Sequence, residues 1–255
     1  MIKTVVILAM PRSGSSLLAG ILHRLGVWMG EDEDIKVGKH LNRYGCYENQ
    51  SFIALNENIL FQAKRVVDHS RRLSDDYGLV ESVVKSYEGK IKNLIRNDER
   101  ELWGFKNPTI IYTLPYFHQH LTNPYFICLY RDADIIAHSF LMTARPQNWW
   151  PEIQHEFSYF TVLGRIEIIF RFLKLLIRKG NLFKSLSFQK KIAEDGYKRI
   201  NRFIRDKRHI TFKLEDLLND SKKIIQEIIT FLEISPTPGQ IKDALSFIDQ
   251  DLISS

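Results

Sequence analysis

The stretch from Val5 to Leu18 limits what this chain can fold into more than any other. Residues 5–10 form an unbroken apolar run, and residues 11–16 read Pro-Arg-Ser-Gly-Ser-Ser. Behind this polar loop, apolar residues recur at the spacing of one helix face. The pattern predicts a strand, a tight loop and a helix in that order. The apolar helix positions are Leu17, Leu18, Ile21, Leu22 and Leu25.

The polar loop has the chemistry of an anion site. A helix N-terminus offers backbone N–H groups and the positive end of the helix dipole. Gly14 permits backbone angles that other residues resist and lets a ligand approach closely. Ser13, Ser15 and Ser16 add hydroxyl donors, and Arg12 adds a fixed charge with several donors. The loop predicts a bound phosphate or sulfate; the alternative is an ordinary strand-to-helix turn capped by serines.

The loop differs from the ATP-type phosphate loop, whose pattern is Gly-x-x-x-x-Gly-Lys-Ser/Thr. When residues 9–16 are aligned with this pattern, Gly14 and Ser16 match, whereas Ala9 replaces the first glycine and Ser15 replaces the lysine. That lysine normally reaches the outer phosphates of a nucleoside triphosphate. Its absence argues against ATP and leaves the rest of the anion cradle in place.

Composition narrows the class of protein further. The chain has 255 residues and a net charge of +6, which fits one basic α/β domain with an anionic ligand. The two cysteines, Cys46 and Cys128, are too few for a metal cluster, and we expect both to be reduced and buried in a cytoplasmic protein. We expect no signal peptide, and no transmembrane helix because no stretch of 18 uncharged apolar residues occurs; no nucleic-acid-binding module is recognisable.

A second strand–loop–helix unit follows about 115 residues after the first. Residues 124–130 are apolar throughout, as in a strand covered on both faces. They end at Arg131-Asp132-Ala133-Asp134, and a helix is predicted from Ile135 onward. Ser139 lies two turns into that helix, where an inward hydroxyl would assist Arg131. This unit predicts a second anion position.

Other candidate site residues follow shorter strands. Residues 102–105 predict a strand that ends at Lys106, and 27–29 predict a short strand followed by the acidic run 31–34. In an open α/β sheet the carboxyl ends of the strands face the ligand crevice. The acidic run is interpreted either as a solvated loop or as the source of one functional carboxylate.

The remaining pattern is mainly helical. Helices are predicted from about residue 51, within 64–100, over 109–120 with a distortion at Pro115, and from 221 with Ser221 as the cap. A strand is predicted at 209–214, and residues 215–218 are expected to open a turn. Residues 145–205 are expected to form a helical insertion or lid, within which 166–188 could also be a basic amphipathic helix on a membrane surface. The whole chain predicts a single α/β domain, a three-layer sandwich around a mainly parallel sheet.

The two anion units together resemble the sulfotransferases that use 3′-phosphoadenosine 5′-phosphosulfate (PAPS), above all the bacterial sulfotransferase-like proteins and the tyrosylprotein sulfotransferases. Residues 11–16 are similar to the family's loop for the 5′-phosphosulfate, and Arg131 with Ser139 matches its 3′-phosphate motif. Residues 106–108 resemble its Lys-Asp-Pro segment. Residues 45–49 and 214–218 also match recurrent segments, so the resemblance extends from residue 1 to about 235.

The resemblance implies a P-loop-like fold and an enzyme that transfers a sulfuryl group from PAPS and releases 3′-phosphoadenosine 5′-phosphate (PAP), without a metal. Arg12 and residues 13–16 would hold the 5′-phosphosulfate, Arg131 and Ser139 the 3′-phosphate, and Lys106 the leaving oxygen. The acceptor would be a hydroxyl or amine of a small molecule, glycan or lipid. The alternatives are a small-molecule kinase with an altered phosphate loop, or a non-catalytic anion- or membrane-binding homologue.

The general base departs from the family pattern. Cytosolic sulfotransferases carry a histidine two residues after the lysine, where this chain has Pro108. In the tyrosylprotein branch a glutamate just after the second strand takes this role, which makes Glu31 the first candidate. Glu48 is the second candidate and His40 the third. The acceptor and the oligomeric state stay open.

Overall fold

In the computed structural model the described residues are 1–31, 45–63, 77–143, 164–166, 169 and 185–248. They form a four-stranded parallel sheet with helices on both faces. The strands are β1 (Lys3–Ala9), β2 (Leu102–Lys106), β3 (Pro124–Tyr130) and β4 (His209–Lys213), and their order across the sheet is β2-β1-β3-β4.

Strand β1 lies in the middle of the sheet because it is apolar enough to be buried on both faces. It pairs in parallel with β2 from Lys3 opposite Leu102, and with β3 from Thr4 opposite Pro124. Since all four strands run the same way, their carboxyl ends meet at one edge, where the loops after β1, β2 and β3 come together.

Nine α-helices whose bounds the structure describes surround the sheet, with one turn of 3-10 helix at Ile110–Tyr112. The helices α1, α7, α8 and α9 share one hydrophobic core, whereas α2 to α6 contribute to the core on the opposite face. The helices are α1 (Ser15–Arg24), α2 (Gln50–Gln62), α3 (Tyr77–Asp98), α4 (Leu114–His118), α5 (Ala133–Thr143), α6 (Leu186–Ile204), α7 (Leu214–Asn219), α8 (Ser221–Leu232) and α9 (Pro238–Ser246).

The predicted α/β class and parallel sheet are confirmed, and several local predictions are corrected. Residues 27–29 form only a single bridge, between Trp28 and Trp103. The helix predicted at 109–120 is divided into the 3-10 turn and α4, because Pro115 has no N–H to continue a helix and lies at the start of α4. Leu214 begins α7 instead of ending β4, and residues 215–218 belong to that helix.

The cap of α8 is Asp220 and not Ser221, since the Asp220 carboxylate accepts from the Lys223 N–H at 3.2 Å. Leu186–Ile204 forms α6, but most of the predicted insertion and of the segment 166–188 lies outside the described residues. Among the helices that the structure describes, none has the length and apolar character needed to cross a bilayer.

Candidate active site

The loop after β1 is a tight turn that leaves the start of α1 without a side-chain cap. The Ser13 hydroxyl and N–H both donate to the Met10 carbonyl, at 2.5 and 3.3 Å, so this buried serine closes the turn. Gly14 is the N-cap of α1 with φ 85°, and its own lack of a side chain leaves the helix uncapped. The first N–H groups of α1, on Ser15, Ser16 and Leu17, have no partner within the helix and are placed to receive an anion.

Lys106 reaches this loop from the end of β2. Its ammonium donates to the Ser16 hydroxyl at 3.2 Å and pairs with the Glu48 carboxylate at 2.5 Å. The side chains of Lys106 and Glu48 are 4% and 18% exposed, so the pair is shielded from most of the solvent. The structure therefore brings together three residues that were predicted separately, one from each of three chain segments.

Arg131 reaches the same loop from the other side, at the end of β3. Its Nη1 donates to the Arg12 carbonyl at 2.9 Å, and the Arg12 Nε donates to the Ser139 hydroxyl at 3.0 Å. Arg12 has φ 65°, a left-handed conformation that is unusual for a side-chain-bearing residue. The Arg131 Nε is buried and has no hydrogen-bond partner among the described residues. Ser139 thus contacts the Arg12 side chain, and Arg131 contacts the Arg12 backbone, so the predicted role of Ser139 beside Arg131 stays a prediction.

Two groups hold the backbone around Arg131. The Asp132 carboxylate accepts from the N–H groups of Asp134 and Ile135, at 2.8 and 3.2 Å, and caps α5. The Tyr197 hydroxyl, on α6, accepts the Arg131 N–H at 2.9 Å. Burial raises the pKa of Tyr197, so its phenol remains neutral beside Arg131. Sequence reasoning missed Tyr197 because no local signal links it to a residue 66 positions away.

The other two candidates for the general base, Glu31 and His40, have no described contact with Lys106. Glu31 is exposed. The pKa of Asp98 is raised chiefly by burial, and the negative charge of Glu31 adds to that rise. Among the described residues, no hydrogen bond or ion pair joins Glu31 to the loop after β1. His40 lies outside the described residues. Glu48 is therefore the candidate whose contact with Lys106 the structure describes.

Cys46 lies close to the same charges. The pKa of its thiol is raised to about 11, chiefly by burial and then by the Glu48 carboxylate, while Lys106 and Arg12 oppose the shift. Cys128 is buried in β3 as predicted, whereas Cys46 is only partly buried. Neither is in a disulfide.

A buried polar network lies behind Lys106 and was not predicted. The Thr109 hydroxyl lies 2.7 Å from Glu57 Oε1 and 2.8 Å from Asn107 Oδ1, and it accepts from the Asn56 amide at 2.8 Å. A hydroxyl has one proton, so it donates to one of the two oxygens at a time. Asn56 and Glu57 are buried on α2, so the network ties that helix to the turn after Lys106. Two polar residues within an apolar helix stripe were the available signal.

Comparison with known proteins gives the class of the molecule. A family model described as the sulfotransferase family matches residues 4–163, which is more than half of the chain. The chain belongs to the sulfotransferase family. The match includes both anion units and Lys106, so the resemblance inferred from these motifs is confirmed, and the protein is a sulfotransferase enzyme.

A solved structure shares the fold of this sulfotransferase. The sulfotransferase STF1 from Mycobacterium tuberculosis H37Rv is 13% identical, with a TM-score of 0.52 over 96% of this chain and 71% of that one. Two further matches are sulfotransferase domains. One, from the curacin biosynthetic pathway, has 16% identity, a TM-score of 0.48 and coverage of 94% and 77%. The other, from the Synechococcus PCC 7002 olefin synthase, has 18% identity, a TM-score of 0.46 and coverage of 99% and 82%.

No curated protein sequence matches this sulfotransferase significantly. Within the described ranges no group of three or more histidine, cysteine or acidic side chains is arranged to hold a metal ion. The expectation of metal-free chemistry stays a prediction.

Proposed function

We propose that this sulfotransferase moves the sulfuryl group of PAPS to a hydroxyl or amine of a small-molecule, glycan or lipid acceptor. One observation carries the proposal: two cations approach the loop after β1 from opposite sides. Lys106 contacts Ser16 at the start of α1, and Arg131 contacts the Arg12 carbonyl at the start of the loop. Two cationic groups on one loop suit a nucleotide with anionic groups at two positions.

The Lys106 side of the loop suits the 5′-phosphosulfate. The uncapped N-terminus of α1 offers backbone N–H groups, the Ser16 hydroxyl lies beside them, and Lys106 supplies a buried charge. Donors of these three kinds stabilise the charge that grows on a leaving phosphate oxygen. The glycine at position 14 fits this role because the backbone can approach the ligand without a side chain between them.

The Arg131 side suits the 3′-phosphate. The buried Arg131 Nε, which has no partner among the described residues, is a donor that an anion would satisfy. The Arg12 guanidinium, which the family resemblance assigns to the 5′-phosphosulfate, lies next to Ser139 and adds charge on this side as well. Arginine is well matched to a phosphate because its planar donors engage two oxygens at once.

The proposed reaction is an in-line displacement at sulfur. The acceptor oxygen or nitrogen forms a bond to sulfur while the bond from sulfur to the bridging oxygen breaks, and the electron pair of that bond goes to the phosphate of PAP. Lys106 stabilises the bridging oxygen. The acceptor proton goes to the Glu48 carboxylate, which lies next to Lys106.

This scheme requires the Lys106–Glu48 pair to separate when substrate binds. The phosphosulfate takes the place of the carboxylate at Lys106, and Glu48 is then free to accept a proton. Glu31 and His40 remain the competing candidates for the base. The three substitutions Glu48→Gln, Glu31→Gln and His40→Gln separate them, since only loss of the base lowers kcat strongly and leaves PAP binding in place.

Binding and turnover together test the proposal. We expect PAP to raise the Tm of the wild-type protein, and ATP with Mg²⁺ to do so less, because the loop lacks the lysine of an ATP site. Transfer of label from ³⁵S-labelled PAPS to a panel of phenols, sugars and hydroxylated lipids would identify the acceptor class. Absence of a Tm shift with both PAP and PAPS would overturn the proposal, and a larger shift with ATP and Mg²⁺ would favour a kinase.

A further inference from the structure

The segment 45–49, which carries Glu48, passes from one hydrophobic core to the other across the ligand edge of the sheet. Tyr47 belongs to the core on the side of α1 and α9, whereas Phe52, a few residues later, belongs to the core on the side of α2 and α3. Glu48 lies between the two anchors. Its carboxylate is therefore placed by its neighbours, since the segment has no helix or strand of its own.

Asn49 fixes the segment on the α2 side. Its Oδ1 accepts from the N–H groups of Ser51 and Phe52, at 3.0 and 3.2 Å, and so caps α2. Its Nδ2 donates to the Asp98 carboxylate of α3 at 2.6 Å. An asparagine cap is a common way to begin a helix, and it accounts for one end of the segment.

Tyr47 fixes the segment on the other side, in an unfavourable backbone conformation. Its φ is 52°, and Gly45 nearby has φ 89°. A bulky residue takes positive φ only where the surroundings enforce it. The Tyr47 ring is buried against Phe247, with centroids 6.0 Å apart and an edge-to-face angle of 75°. The packing is close, since a Cβ on Gly20 would lie 2.2 Å from the Phe247 ring and 3.1 Å from the Tyr47 ring.

Arg24 completes this anchor and connects it to the C-terminal helix. The Arg24 Nη1 donates to the Tyr47 hydroxyl at 3.0 Å, and its guanidinium lies 3.6 Å from the centroid of the Phe247 ring. The Arg24 Nε also lies 3.5 Å from the Asp243 carboxylate of α9. A chain of direct contacts thus runs from α9 through Arg24 to Tyr47, the residue before Glu48.

We propose that Tyr47 is a positioning residue for Glu48, and that Arg24 and the C-terminal helix α9 act on sulfuryl transfer through it. The inference rests on the proposed function, in which Glu48 takes the acceptor proton. When the Lys106–Glu48 pair separates, the two anchored neighbours confine Glu48 to side-chain rotation. Loss of the Tyr47 anchor lets the backbone move as well, and small displacements of a reacting group are costly for the rate.

The test compares two buried tyrosines of the same core. Tyr47→Phe removes the hydroxyl that Arg24 contacts. The control, Tyr125→Phe, removes a hydroxyl of β3 that contacts Glu233 at 3.3 Å, away from the ligand loops. We expect Tyr47→Phe to lower kcat about tenfold, with PAP affinity unchanged, because the carboxylate is displaced and the nucleotide cradle is not. Tyr125→Phe should leave both unchanged.

Alkylation of the two cysteines gives a readout that does not depend on turnover. Cys46 lies in the segment itself, whereas Cys128 is buried in β3. Treatment with iodoacetamide at mildly alkaline pH, followed by peptide mass spectrometry, should show faster alkylation of Cys46 in Tyr47→Phe and no change at Cys128. A milder variant, Asp243→Asn, should also lower kcat and speed the alkylation of Cys46. Its control, Glu227→Gln in an exposed ion pair of α8, should change neither quantity.

The outcomes separate this inference from the proposed function. Equal kcat and equal Cys46 alkylation in Tyr47→Phe and Tyr125→Phe would overturn the inference. A parallel fall of kcat and PAP affinity would also overturn it, since Tyr47 would then support the whole site. If the wild type bound neither PAP nor PAPS, the proposed function would fail, and Cys46 alkylation alone would decide whether Tyr47 fixes the segment.

Discussion

The two strand–loop–helix units of this sulfotransferase use the same architecture in opposite ways. After β1, the helix α1 begins at Gly14 without a side-chain cap, so its backbone N–H groups are left for a ligand. After β3, the N-terminus of α5 is capped by Asp132, whose carboxylate accepts hydrogen bonds from the N–H groups of Asp134 and Ile135. An anion near α1 can be held by backbone, whereas an anion near α5 must be held by side chains.

The difference explains the distribution of charged residues between the units. A capped helix end carries an acidic charge of its own, and an anion beside it needs nearby cations, which Arg131 and Arg12 provide. At the uncapped end the backbone N–H groups add donors, and the cation from the neighbouring strand β2 is Lys106. The two ends of the proposed nucleotide site are thus chemically distinct, although Arg131 also contacts the loop after β1 through the Arg12 carbonyl.

The largest expected effect comes from the lysine of the uncapped unit. We expect Lys106→Met to lower kcat by about 10²- to 10³-fold, because a buried cation at the leaving oxygen is lost. The variant also leaves Glu48 half-buried without its partner, so the double variant Lys106→Met with Glu48→Gln should be measured for stability. Steady-state kinetics with labelled PAPS checks the rate.

A matched control for this prediction is Lys190→Met. Lys190 pairs with Asp134 at 2.7 Å, but both side chains are well exposed, so the pair contributes little. If Lys106→Met kept most of the wild-type kcat, Lys106 would not stabilise the leaving oxygen, and the uncapped start of α1 would have to do so without it.

The next effect concerns the capped unit. We expect Arg131→Gln to weaken PAP binding by about tenfold or more, since charge-assisted hydrogen bonds contribute about 1.5–3 kcal/mol. Adenosine 5′-phosphosulfate lacks the 3′-phosphate, so its affinity should fall much less, by no more than the loss of the Arg131 contact with the Arg12 carbonyl causes. Isothermal titration of both ligands measures the difference, with Arg205→Gln, an exposed residue at the end of α6, as the control. Equal weakening of both ligands would contradict an assignment of Arg131 to the 3′-phosphate.

Gly14→Ala tests the uncapped unit through its backbone. The φ of 85° disfavours a side chain, and the new Cβ would lie 2.7 Å from the Leu214 side chain. We expect a loss of about 1–3 kcal/mol in the free energy of unfolding. Gly89→Ala is the matched control with the opposite sign. Its Cβ meets nothing within 4 Å on the helix α3, so it should stabilise by roughly 0.5–1 kcal/mol. Urea denaturation of both variants measures the free energy of unfolding. A Gly14→Ala protein as stable as the wild type would contradict the expected strain at position 14.

The smallest effect is expected from the cap of α5. Asp132→Ala removes the two cap hydrogen bonds, which should lower stability by about 1 kcal/mol. PAP binding should not weaken, because the carboxylate repels the phosphate near Arg131 and the freed N–H groups attract it. A combined Tm and titration measurement checks both parts, and a loss of PAP affinity would show that the cap serves the ligand as well as the helix.

The sequence predicted the parts of the site that follow from local order. The loop after β1, Lys106 at the end of β2 and Arg131 at the end of β3 each stand directly after an apolar run, and parallel pairing brings them to one edge. The contact of Arg12 with Ser139 and the hydroxyl of Tyr197 were not predicted, because both depend on how helices pack on the sheet. No local pattern encodes that packing.

The choice among the acidic candidates shows the same limit. Glu31 and Glu48 both stand in polar segments near predicted strand or helix ends, and the resemblance to the tyrosylprotein branch placed Glu31 first. The structure places Glu48 on Lys106 because Tyr47 and Asn49 anchor the segment in opposite layers. Which residue is the base stays a prediction, but the geometry supports the second candidate more than the first.

The central place of β1 in the sheet has a consequence for synthesis and folding. Both of its partners, β2 and β3, come about a hundred residues later in the chain. Contacts of such high sequence separation form slowly. At translation rates of about 5–20 residues per second, β1 waits on the order of ten seconds for a neighbouring strand, as an apolar segment with unpaired backbone. The anion loop acquires its contact with Arg131 only after β3 has left the ribosome, so the earliest part of the site to be made is among the last to be completed.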